Sequence, residues 1–237
     1  MRVRTIAFAW TALAMAGAGS RSFGVQDRSD RFLFACSVFP ANTSEVQLRA
    51  RFGPENVTTG SVPDPDGAEG DRTEGTILFA KDPEARLEIA WKAAGERRQP
   101  ASIGRLATQG RWRTSSGISL GTDLKTVEKL NGRPFSLAGL AVDLQGSVTS
   151  WRGGRLEAQD SVDCHVGMRL RVESSGNGAR IAALERQVTG DRIFSSGHPA
   201  MQALNPTVYE LFLWYGRRPA NLGLEPTAKN AAVQATR

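Results

Sequence analysis

Residues 112–151, WRTSSGISLGTDLKTVEKLNGRPFSLAGLAVDLQGSVTSW, constrain the fold more than any other stretch of the chain. Thr122 caps a helix, Leu124, Val127 and Leu130 give it an apolar stripe, and Gly132 stops it. Phe135 and Leu137 then share one strand phase, whereas Leu140, Val142 and Leu144 share the other. The switch at Ala138-Gly139 predicts a bulge that re-aims one long strand. Gly153-Gly154, between Val148–Trp151 and Arg155–Glu157, predicts a tight hairpin, because the primed turns that suit paired strands need positive φ.

An earlier stretch, NTSEVQLRARFGPENV, has the same outline. Thr43 or Ser44 caps it, Ser44 and Gln47 have capping-box spacing, and Leu48 and Phe52 lie on one helical face. Gly53 ends it, and Thr43 to Gly53 spans the same distance as Thr122 to Gly132. The expected architecture is α+β: two tandem helix-plus-antiparallel-meander units, residues 32–106 and 107–216. They form one or two antiparallel sheets with the helices packed on one face.

Within the first unit, Phe32–Phe39 reads as an opening strand, and Thr76–Phe79 with Leu87–Trp91 as a hairpin around KDPEAR. A shorter strand at Ile103–Leu106 closes that unit. SVPDPDGAEGDRTEG reads as a solvated acidic loop; it fails the EF-hand calcium spacing, since Ala68 and Glu69 stand where a ligand and a glycine are required. In the second unit, Ile181, Leu184 and Val188 mark a short amphipathic helix, with a strand as the alternative, and Pro199 starts another small helix. Val208–Tyr215 is apolar on both sides, as a central or covered strand would be.

The ends carry most of the charge. Arg2 and Arg4 at the start, and four basic residues against Glu225 in 217–237, leave the body +1 of a formal +6. That distribution argues against a nucleic-acid footprint, which needs cations clustered on a folded face. The basic start, the apolar run TIAFAWTALAMAGA and Ala16-Gly17-Ala18 read as a signal peptide of residues 1–18. The run falls short of the about 20 apolar residues of a membrane span. Leu33-Phe-Ala-Cys36 is not read as a lipidation box, because Arg28, Asp30 and Arg31 stand where an apolar segment is needed. Residues 19–31 read as a linker and 217–237 as a disordered tail.

Export favours a disulfide for the two cysteines, with buried free thiols as the alternative. In CHVGMRLRVE, Cys164, Val166, Met168, Leu170 and Val172 fall on one strand face, and Cys36 shares a phase with Phe32, Phe34 and Val38. Both sulfurs should therefore point inward. No metal site is expected: His165 adjoins Cys164, but neighbouring strand residues face opposite ways.

Groups able to do chemistry are few. His198 stands near Asp191, Ser195 and Ser196, yet no nucleophile-elbow pattern accompanies them, and the serines read as caps for the turn at Pro199. A periplasmic hydrolase using Asp143, Asp191 or His198 is the alternative to a binding protein. No cofactor motif is present. Trp112, Arg133 and Trp151 are the candidate binding residues, since Trp and Arg dominate interface hot spots; core packing is the competing role for both tryptophans.

A helix ended by glycine and followed by an antiparallel meander, in two copies over residues 36–173 of an exported chain, resembles two groups. They are the β-lactamase inhibitor proteins and the small lipoprotein of the outer-membrane assembly machinery. LNGRPF, TSW and HPAMQALNP look like signatures of an exported bacterial family of unassigned role. The resemblance implies a non-enzymatic envelope protein, periplasmic or secreted, that binds another envelope protein through its sheet face.

Overall fold

The computed structural model describes residues 31–68, 70–106, 110–140, 146–173 and 178–216. The expected signal peptide, residues 19–30 of the linker, Asp143 and the tail at 217–237 lie outside the described residues.

The two expected helices form. Helix α1, Glu45–Phe52, starts at Ser44 with both halves of the capping box in place and buries Leu48 and Phe52. Helix α2, Leu124–Asn131, ends at Gly132 in the left-handed conformation. Its cap is Asp123, not Thr122: the Asp123 carboxylate accepts the Thr126 N–H at 2.8 Å. The Thr122 hydroxyl instead accepts the Ser119 N–H one turn earlier.

Strands β1 (Val57–Pro63), β2 (Arg72–Leu78), β3 (Leu87–Ala93) and β4 (Arg98–Leu106) come from the first half of the chain. From the second half come β5 (Ser136–Ala138), β6 (Val148–Ser150), β7 (Cys164–Arg171), β8 (Ile193–Ser195) and β9 (Thr207–Tyr215). Helix α3, Gly178–Glu185, follows β7, and α4, Pro199–Leu204, precedes β9. The order β1-β2-β3-β4-β9-β7 makes one six-stranded antiparallel sheet, so both halves share it. β9 is central, as its two-sided apolarity requires. A three-stranded sheet, β6-β5-β8, joins β7 through a Ser147–Arg169 bridge. The inner face packs on α1 and α2 in one core: Leu87, Ile89, Ile103, Met168, Leu211 and Leu213 meet Leu48, Phe52, Leu124 and Val127. Each CH₂ buried there contributes about 0.8 kcal/mol.

Three local expectations are corrected. The 32–39 segment makes only a bridge at Leu33 and then turns, with the Ala35 carbonyl accepting the N–H groups of Val38 and Phe39. β1, with β2 paired as far as Pro63–Arg72, takes residues from the expected acidic loop and shortens it to 64–71. Residues Arg155–Gln159 form a 3₁₀ turn rather than the second strand of a hairpin. Positive φ falls on Arg152 and Gly153, and the buried Leu156 and Asn131 draw the chain inward. A Cβ on Gly154 would sit 2.0 Å from the Asn131 side-chain oxygen, so glycine is needed there for the approach.

Candidate binding groove on the outer sheet face

β9 divides its side chains by alternation. Leu211 and Leu213 point into the core, while Glu210, Phe212 and Trp214 stand on the opposite face. Register sets their neighbours: Trp214 lies between Ser102 on β4 and His165 on β7, and Phe212 between Gly104 and Gly167. Arg169 faces Glu210. Small residues on the flanking strands leave the two rings standing above the sheet. Phe212 lies across Gly167, where an added Cβ would be 2.3 Å from the ring, whereas one on Gly104 would meet nothing within 4 Å.

The β1–β2 hairpin folds back over this face. Gly60 and Gly75 oppose one another in register, and a Cβ on Gly75 would lie 2.3 Å from the Ile89 carbonyl oxygen. Bulkier residues would hold the hairpin off β3. Folding it over buries Val62, Ile77 and Ala90 in a small second core. Its tip then faces β9 across a groove of ≈ 710 Å³. Asp64 and Asp71 form one wall, Phe212 and Trp214 the floor, and Arg169 with Glu210 the far side.

The floor is braced from the β7 side. The His165 ring stacks on Trp214 at 4.1 Å, with Nε2 3.0 Å from the Gly216 carbonyl and Nδ1 3.2 Å from the Asp160 carboxylate. The Arg169 guanidinium sits 5.6 Å over the Phe212 ring and 3.0 Å from a Glu210 oxygen. Burial raises the Glu210 carboxyl above its ordinary pKa, and Arg169 only partly opposes this. Glu88, also on the lining, is held by Arg86 at 2.8 Å. Among the described residues neither Asp64 nor Asp71 has an ion-pair partner; each carboxylate accepts a backbone N–H of its own loop.

The residues singled out from sequence lie elsewhere. Trp112 and Trp151 are each 1% exposed. Trp112 packs among Phe32, Phe34, Phe39, Phe52 and Phe79, and Trp151 packs on Phe135. Both occupy the core, the competing role. Arg133 is exposed but donates to the Arg152 carbonyl at 2.9 Å, fastening the turn. Cys36 and Cys164 form a disulfide with Cα atoms 5.7 Å apart, the sulfurs buried as strand phase required for Cys164. His198, not a serine, caps α4: its Nδ1 accepts the Ala200 N–H at 3.2 Å. Ser196 is buried, donates to Glu128 and accepts the Phe135 N–H, so it ties α2 to β5. Asp191 is exposed. Among the described residues no His, Cys, Asp and Glu grouping could hold a metal ion, and no helix is long and apolar enough to cross a membrane.

Sequence reasoning passed over Phe212 and Trp214 because β9 is apolar on both sides. The available signal was finer: at Glu210, Phe212 and Trp214 one phase carries an acid and two aromatics, while Leu211 and Leu213 carry aliphatics. Comparison with known protein families, with curated proteins and with solved structures finds no match.

Proposed function

We propose that this chain is an exported, non-enzymatic protein-binding module whose recognition surface is the outer face of the six-stranded sheet. The observation that carries the reading is the groove between the folded-back hairpin and β9. Its two half-exposed aromatic rings are held rigid by His165 and Arg169. Large rigid aromatics lose little conformational freedom when covered, which makes them effective anchors. The disulfide supports export, since such bonds persist in oxidising compartments. The partner is another envelope protein, in keeping with the binding scaffolds that the sequence resembles. Trp214 and Phe212 replace Trp112 and Trp151 as the proposed anchors.

Gly104 offers a direct test. A side chain there enters open space in the groove and meets no backbone. Gly104→Gln should therefore keep the wild-type melting temperature, because surface changes stay within about 0.5 kcal/mol. Tagged protein carrying it should lose, by at least about tenfold, a species that co-purifies with wild type from the native envelope, a loss equal to about 1.4 kcal/mol. An unchanged set of co-purifying proteins from a folded Gly104→Gln chain would count against the surface.

A further inference from the structure

Resting on that reading, we infer that the groove takes an extended segment of another protein bearing lysine or arginine. Charge complementarity supports this. Asp64 and Asp71 stand on the wall without a counter-ion among the described residues, and Glu210 on the far side is shared with only one guanidinium. A second cation between wall and floor would offset part of the surplus. The Trp214 ring, backed by His165 on one face, borders the groove and suits a cation stacked over it, as Arg169 already stacks over Phe212. The shape also selects a strand-like ligand. A floor laid across β4 and β9 and walled by a hairpin suits an extended chain, which can direct every second side chain at the sheet.

The probe is Ac-(Lys-Thr)₄-amide, titrated calorimetrically into the full mature chain, with Ac-(Glu-Thr)₄-amide and cellohexaose as controls. The lysine peptide should bind and the glutamate peptide should not. The affinity should fall as salt rises, because a partly open groove is screened over about 10 Å at 0.1 M. Asp64→Asn with Asp71→Asn keeps the side-chain acceptors of the loop, so it should fold as wild type while weakening the peptide by about tenfold. Gly104→Gln should abolish binding. Lysine-peptide binding that is unaffected by the double variant would overturn the inference. So would its absence from a protein whose envelope partner is still lost on Gly104→Gln, and in that case the recognition surface stands while its chemistry is wrong. If Gly104→Gln changes neither peptide nor partner, the surface itself is refuted. Cellohexaose binding in place of the peptide would assign the groove to carbohydrate and overturn the inference.

Discussion

Trp112→Ala should destabilise the protein by about 3–5 kcal/mol, the usual range for emptying a large aromatic site. Few positions concentrate so many contacts. The indole is the hub of five phenylalanines with ring centroids 5.4–6.4 Å away, drawn from the 32–39 segment, α1 and the turn after β2. Its N–H donates to the Ala85 carbonyl at 2.6 Å inside the core. Backbone bonds from Arg113 to Phe32 and Phe34 hold the opening segment beside it. Trp112→Phe separates the two contributions. It keeps much of the packing but leaves the buried Ala85 carbonyl unpaired, which should cost about 1–3 kcal/mol. Urea unfolding of the three proteins measures both. A Trp112→Ala loss below the Trp112→Phe loss would refute this account of the cluster.

Opening the Cys36–Cys164 bond should produce a loss of similar size by a different route. The bond joins residues 128 apart in sequence, and closing a loop of that length removes unfolded-chain entropy worth up to about 5 kcal/mol. Replacing both cysteines by serine should therefore lower the urea midpoint strongly and raise the slope, because the unfolded chain without its cross-link exposes more surface. Structure persisting in the unfolded chain would shrink the effect. Thiol titration of the denatured, unreduced wild-type protein should find no sulfhydryl. Two titratable thiols, or a double-serine protein as stable as wild type, would contradict the bond's role.

Much of the fold was legible because local rules agreed with global ones. Ser44 and Gln47 form the capping box at the predicted place, Gly132 stops α2, and the alternation from Cys164 specified a strand with the sulfur inward. The features that escaped depend on distant partners. The β4–β9 pairing that fuses the two halves brings Ser102 to Trp214, and no local pattern encodes that register. The end of β1 at Ser61–Pro63 read as loop because it runs into Asp-Pro-Asp-Gly, which has loop composition; its ladder with β2 and the buried Val62 make it a strand. The Gly153-Gly154 signal was right about a turn and wrong about a returning strand at Arg155–Glu157, since burial of Leu156 outweighed hairpin geometry. The same distance problem governs the site. Tryptophan type alone could not separate Trp112 and Trp151, enclosed by other elements, from Trp214, left half-exposed by Ser102 and Gly104 beside it.

Site-specific cross-linking asks most directly whether the outer face is where this protein meets another. A photoreactive phenylalanine analogue replaces Ser102 in the groove, or Glu96 in the exposed turn between β3 and β4, and the full chain is irradiated in its native envelope. The account predicts a discrete adduct from position 102, none from position 96, and loss of the first when Gly104→Gln is added. Equal adducts from both positions, or an adduct from 96 alone, would contradict it.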